Sequence, residues 1–375
     1  MKNTIFALLA LVGTLAGSSA NSQIALQKNG VPHMPEEWLI SQGQPYHFRG
    51  LANQNVKALN RREPTSPEVK SINSIRELFQ RYEFRALLLG DGDSIVFDAF
   101  KPPVTRDSFL LSASIDKSVT SVSAGVAICQ GKISLQTTAA AVIPQLQGTD
   151  IGESTVQDLL TMTSGTDLAD DIGSSLTVKE FEEIQSGKKS YLDLMQSKWK
   201  SRALFKSRGR SFDYKAQDPI LLGMVIGGAY GLKFRDWQAV NLFNQLGLER
   251  YQIQGTDRYG YASADSNTRM TIQDWARFAV FVQQKRNGQD CLGNFLREAT
   301  VKQISNDGRF LKDYGSYGYL FWTDALGLPD AYAALGHGGQ AIIWSKSTGR
   351  YLVAFSVSTR QSDVLEMAKL WLSLP

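Results

Sequence analysis

Residues 110–129 (LLSASIDKSVTSVSAGVAIC) constrain this chain most. They are mostly small or apolar, include no proline, and carry charge only at Asp116 and Lys117. The run predicts an apolar helix that Gly131 closes, since glycine readily takes the left-handed conformation that ends helices. Ser114 and Lys117 stand three positions apart, which sets them side by side on one helix face. A hydroxyl and an amine held that way in uncharged surroundings suit a nucleophile and its base.

The spacing alone decides little, because Ser-x-x-Lys occurs at Ser114/Lys117, Ser186/Lys189 and Ser197/Lys200. The last two fall in a charged stretch, where a lysine is solvated and protonated. Burial disfavours an ammonium, and a neutral amine takes a proton from serine. Only the first pair sits among residues apolar enough for that. The plain alternative is a surface lysine beside a helix-capping serine.

The chain begins differently. Lys2 is the only charge before residues 4–16 (TIFALLALVGTLA), and Gly17, Ser18, Ser19 and Ala20 follow. A basic start, a short apolar run and small residues describe a secretory signal peptide cleaved after Ala20. The expected location is periplasmic or secreted, with no membrane anchor after cleavage, since no other run of about 18 apolar residues appears. An exported chain meets conditions in which disulfides form. Cys129 and Cys291 are the two cysteines, and a buried free thiol and a single bridge are both open. The net charge of +4 is small and scattered, which disfavours a nucleic-acid partner.

Residues 21–70 are polar and proline-bearing and read as an extension over the surface, with a helix starting near Ser71. Residues 82–99 are two strand-like runs around Gly90-Asp91-Gly92-Asp93, a hairpin signal. Residues 136–303 read as mostly helical. Within them Thr155 and Asp158 have capping spacing, residues 220–226 and 237–246 are apolar helical runs, and residues 271–284 repeat at helical period. Residues 177–206 are charged and read as a solvated helix and loop. Strands return at 317–323, 340–346 and 351–358, with a turn at 347–349, and a closing amphipathic helix spans 363–374. The fold class is α+β: an antiparallel sheet from residues 71–135 and 304–375, flanked by N- and C-terminal helices, with the helical region inserted.

Two further segments carry candidate chemistry. Phe212-Asp213-Tyr214 offers a tyrosine that could relay protons beside a lysine, against the plainer reading of a core tyrosine. Gly336-His337-Gly338-Gly339-Gln340 leads into a strand, where glycines let backbone N–H groups approach an oxyanion; a simple turn is the alternative. His33 and His47 lie in the polar extension, so no metal site is expected.

A Ser-x-x-Lys at a helix start, a tyrosine motif about 100 residues on and a glycine-rich strand entry near the C-terminus come in that order. The chain thus resembles the serine hydrolases of the β-lactamase and penicillin-binding fold, and within them the class C β-lactamase-like branch that includes the 6-aminohexanoate-dimer hydrolases. Residues 155–167 (TVQDLLTMTSGTD), 210–223 (RSFDYKAQDPILLG) and 271–278 (TIQDWARF) share in the resemblance. It implies Ser114 as nucleophile, Lys117 as its base partner and Tyr214 as proton shuttle. It implies an oxyanion hole from the N–H of Ser114 and the N–H near Gln340, with His337, Gly338 and Gly339 where many members have Lys-Thr-Gly. It implies no metal or organic cofactor. Two departures stand out: Ala216 replaces an expected Asn, and His337 replaces a fixed cation with a titratable group. Both weigh against efficient β-lactam hydrolysis and favour a small-molecule amide or ester as substrate. The competing readings are a β-lactamase or D-amino-acid-directed peptidase of cell-wall material, and a non-catalytic binding module with the same fold.

Overall fold

The computed structural model describes residues 55–165, 186–197, 208–253, 264–308 and 310–375, with short pieces at 27–28, 31–33, 36–40, 48–50, 183–184 and 257. The expected leader at 1–20 and most of 177–206 lie outside the described residues.

A nine-stranded sheet organises the fold. In chain order its strands are β1 (Asn60–Arg61), β2 (Phe84–Asp91), β3 (Ser94–Phe100), β4 (Ile304–Ser305), β5 (Tyr314–Tyr317), β6 (Trp322–Ala325), β7 (Leu328–Gly336), β8 (Gln340–Ser345) and β9 (Arg350–Ser356). Across the sheet they run β4-β5-β6-β7-β8-β9-β2-β3-β1. Neighbours are antiparallel except β1, which joins β3 in parallel at one edge. The β2–β3 hairpin turns at Gly92, whose φ of +57° suits glycine.

Side chains alternate across a strand, so partners identify the two faces. On one face Arg350 reaches Glu68 of helix α1 (Ser66–Arg81) and Trp371 of the C-terminal helix. On the other, Phe355 and Trp344 meet Trp275, Phe278 and Ala279. The core strands are buried throughout because both faces are covered.

The remaining long helices are α2 (Ile115–Cys129), α3 (Gln217–Tyr230), α4 (Ile272–Asn287), α5 (Cys291–Ala299) and α6 (Gln361–Leu372). Thr155 and Asp158 form the expected capping box, and the Thr271 side chain caps α4. Helix α2 is buried along almost its whole length. Three of its hydroxyls find carbonyls: Ser118 donates to Leu320, Thr120 to Ala264 and Ser123 to Val119. A disulfide joins Cys129, at the end of α2, to Cys291, at the start of α5, which decides between the two readings left open by the sequence.

Several expectations need correcting. Helix α1 begins at Ser66, not near Ser71, because Thr65 and Glu68 form a capping box and Pro67 fits the first turn. Residues 317–323 are not one strand: β5 and β6 flank a turn where Leu320 has φ +58°. The central strand β7 had no counterpart in the sequence reading. The extension does not simply cover the surface, since Leu39 is fully buried and Phe48–Gly50 pairs with Tyr251–Ile253. In the charged stretch, helix Tyr191–Ser197 buries Tyr191, Leu194 and Met195.

Candidate active site

A second, four-stranded sheet builds the site. Leu110–Leu111 pairs with Thr268–Met270, which pairs with Tyr251–Ile253. The chain leaves Leu111 through Ser112 and Ala113 into Ser114, the N-cap of α2. Ala113 has φ +43°, a strained value for a residue with a Cβ. Two contacts hold this turn: the Ser112 N–H donates to the Thr268 carbonyl at 2.8 Å, and Gly336 lies against it. A Cβ at Gly336 would come within 2.7 Å of the Ser112 carbonyl and 3.0 Å of the Ala113 Cβ, so only glycine fits.

Lys117 is only 2% exposed, and its amine sits in a defined cage. Its Nζ is 3.0 Å from Ser114 Oγ, 3.2 Å from the Asp265 carbonyl oxygen and 3.7 Å from Asp265 Oδ2. The Tyr214 ring closes another side, with Nζ 5.0 Å from its centroid. Tyr214 is half-buried and stacks on Phe310 at 4.7 Å between ring centres, with Trp322 at 5.4 Å. Asn306 shapes the loop that presents Phe310: its Oδ1 accepts the Phe310 N–H at 3.2 Å and its amide donates to the Tyr314 carbonyl at 2.9 Å.

Two buried carboxylates flank this cage. Asp116 Oδ2 accepts the backbone N–H groups of Asn267 and Thr268, each at 2.9 Å. Burial outweighs these bonds and pushes its carboxyl up to about 7, with the nearby Asp265 charge adding to the rise. Asp218, beyond Tyr214 in the chain, accepts from Ser164 Oγ at 2.7 Å and lies 3.9 Å from Lys215 Nζ. Burial raises it to about 6.

His337, Gly338 and Gly339 form the β7–β8 hairpin turn, with Gly336 paired to Gln340. Gly338 and Gly339 have φ of +81° and +97°. A Cβ at Gly339 would approach Thr359 to 2.9 Å. His337 Nε2 lies 2.9 Å from the His33 carbonyl, an acceptor, so the proton sits on Nε2 in this contact. The titratable group thus meets the N-terminal segment. The Gln340 side chain turns into the sheet instead: its amide donates to the Ser356 carbonyl and its oxygen accepts the Ser356 N–H, at 2.8 and 2.9 Å. The role expected here concerns the backbone N–H and not this side chain.

The structure brings Ser114, Lys117 and Tyr214 together, and sets the Gly336 turn against the Ser112–Ala113 backbone. Ser186 and Lys189 lie elsewhere, with Lys189 on Glu183 at 2.9 Å and both side chains open to water. Lys200 lies outside the described residues. Asp265 and Asp116 were not singled out from the sequence. Asp116 lies inside the Ser-x-x-Lys motif itself, whereas Asp265 is 148 residues from Lys117 and carries no local signal. Among the described residues no His, Cys, Asp or Glu cluster could hold a metal ion, and no helix is long and apolar enough to cross a membrane.

Comparisons with known proteins bear on the fold and the family. No curated protein sequence matches the chain. A candidate 6-aminohexanoate-dimer hydrolase from Bacillus anthracis has a similar structure, with a TM-score of 0.66, 16% identity, and coverage of 85% of this chain and 87% of that one. A β-lactamase/D-alanine carboxypeptidase from Pseudomonas syringae gives a TM-score of 0.63 and 15% identity over 83% of this chain and 100% of that one. A class C β-lactamase gives 0.62 and 15% over 82% and 96%. At these identities the likenesses speak for the fold alone. The Beta-lactamase family model matches residues 75–373, nearly the whole described body of the chain. The chain therefore belongs to the β-lactamase family and has the β-lactamase/penicillin-binding fold.

Proposed function

We propose that this chain is an exported serine hydrolase that cleaves an amide or ester of a small molecule through an acyl-enzyme on Ser114. The observation that carries the reading is the 3.0 Å approach of Ser114 Oγ to the buried Lys117 amine. In this reading Lys117 takes the hydroxyl proton as Oγ attacks the substrate carbonyl. The backbone N–H of Ser114, at the N-terminus of a 15-residue helix, and the N–H near Gln340 receive the developing oxyanion. Tyr214, whose ring touches the Lys117 amine, passes the proton to the leaving group and later draws one from the attacking water. His337, Gly338 and Gly339 line the approach to the oxyanion hole, and the reaction needs no cofactor. Export rests on the leader at residues 1–20 and is in keeping with the Cys129–Cys291 bridge.

The experiment is covalent labelling. The mature chain and a Ser114→Ala variant are treated with a serine-reactive fluorophosphonate and a chromogenic ester. Wild type is expected to gain one adduct, mapped to Ser114, and to turn over the ester at least 1000-fold (roughly) faster than the variant. Equal behaviour of the two proteins ends the enzymatic reading. A panel of esters, short amides and β-lactams then ranks the substrates.

A further inference from the structure

We propose that Asp265 is a positioning residue for the base of this site: its carboxylate balances the ammonium that Lys117 becomes on taking the Ser114 proton. The inference rests on Ser114 being the nucleophile. Its ground is the geometry around one buried amine. Lys117 Nζ meets the main-chain oxygen of Asp265 at 3.2 Å and its carboxylate at 3.7 Å, with Ser114 Oγ on its remaining polar side.

The segment that carries Asp265 is fastened to the serine helix on both sides of that residue. Before it, Thr120 Oγ1 donates to the Ala264 carbonyl at 2.6 Å. After it, Asp116 takes the N–H groups of Asn267 and Thr268, and the Ser112 N–H donates to the Thr268 carbonyl. Four bonds thus place one carboxylate beside one amine. The main-chain oxygen alone would orient the amine. The carboxylate adds a charge whose sign matches what the reaction creates.

In the acylation step the Ser114 O–H bond breaks and its proton bonds to Lys117 Nζ. The Oγ electron pair forms the new bond to the acyl carbon, and the carbonyl π pair moves to oxygen. The proton taken up leaves an ammonium 3.7 Å from Asp265 Oδ2, where opposite charge in a buried site is favourable. The proton then leaves through Tyr214 to the departing group as the substrate's C–N or C–O bond breaks. Among the described residues the other titratable groups around Lys117 are Asp116 on its own helix, Tyr214 above it, the Asp218–Lys215 pair next to Tyr214 in the chain and His337 in the turn that begins at Gly336 against Ser112.

The test is the pH profile of fluorophosphonate labelling in the full mature chain, read by mass at Ser114. Wild type, Asp265→Asn and Glu68→Gln are compared, the last removing a buried carboxylate away from the site. In Asp265→Asn the low-pH limb is expected to move down by about one pH unit or more, because an opposite charge within 4–6 Å favours the ammonium by that much. The plateau rate is expected to fall about tenfold or more. Glu68→Gln leaves the limb in place. If the Asn variant does not fold, Asp265→Ser keeps the main-chain oxygen without the charge and is read the same way. A limb that stays at the wild-type pH in a folded Asp265 variant overturns the proposal, even where the plateau drops. Absence of wild-type labelling overturns the nucleophile assignment, and this proposal falls with it.

Discussion

Two buried ionic clusters in this protein use the same residue types to opposite effect. In the first, Glu68 is 1% exposed and takes Arg62 with both oxygens, at 2.8 and 2.7 Å, as well as Arg350 and the Thr65 backbone and hydroxyl. Hydrogen bonds from Arg62, led by geometry and charge, hold its carboxyl well below the ordinary carboxylate range. In the second, Asp265 takes the lysine, and Asp116 is met by backbone N–H groups instead of cations. Burial wins there and raises Asp116 to about 7. A cation bonded directly to the carboxylate separates the two: Glu68 has two arginines, one of which also holds Asp91, whereas Asp116 meets only backbone N–H groups. Where cations meet the carboxylate, the charge is locked and serves the fold. Where only N–H groups meet it, the charge stays close to titration, as the proposed proton-moving site requires.

Breaking the first cluster tests that division most severely. Glu68→Ala leaves Arg350 buried without its partner, and breaking one side of a buried pair costs about 3–5 kcal/mol. Urea unfolding is expected to show that loss, while Ser114 labelling per folded molecule stays unchanged. A loss below about 1 kcal/mol would mean that the cluster does not carry the fold. The sign with pH follows from the lowered carboxyl. The stabilisation is present above the unfolded value of about 4.5 and is lost as pH falls below it.

The site side is tied covalently instead. The Cys129–Cys291 bridge closes a separation of 162 residues and anchors the far end of the serine helix. Cys129→Ser with Cys291→Ser is expected to cost about 2–4 kcal/mol, chiefly by freeing the unfolded chain. Guanidinium unfolding of the double variant measures it. An unchanged midpoint would shift the burden of holding the site onto its apolar packing.

What the sequence disclosed divides along distance. The Thr155–Asp158 cap, the Gly90–Asp93 turn and the Ser114–Lys117 pair are local, and each stands where it was expected. Strand β7 was missed because LPDAYAALG is rich in alanine and has proline at its second position, whereas strand signals rest on β-branched and aromatic residues. Its sides are buried by helices and neighbours, so no alternation marks it. The start of helix α1 is masked in the sequence because its Thr65–Glu68 box lies among the prolines at 64 and 67. The contacts that complete the site join distant residues: Asp265 to Lys117 across 148 positions, and His337 to His33 across 304. No motif spacing records these, since they follow from how the two sheets are laid together.

The smallest expected effect sharpens the comparison most, because it tests the titratable cluster without removing a partner. Asp116→Asn keeps an oxygen for the N–H groups of Asn267 and Thr268 and deletes only the charge. The wild-type carboxyl is raised in the folded state from 3.8 to about 7. Its contribution is therefore fully present below about pH 4 and is lost as pH rises to about 7, because the unfolded carboxyl gives up its proton first. The variant has no such loss. Its stability relative to wild type is expected to improve across that window and to level off above it. The gain at pH 8 is on the order of 1–2 kcal/mol, after discounting for the hydrogen bonds that an amide oxygen makes less strongly than a carboxylate. Melting curves of both proteins at pH 4, 6 and 8 measure it. A gap that stays constant with pH would mean that Asp116 is ionised throughout, held like Glu68, and the division between a locked and a poised cluster would fail. A gap that opens between pH 4 and 7 would place a carboxyl titrating near neutrality two residues from Ser114, next to the lysine that the proposed mechanism uses as a base.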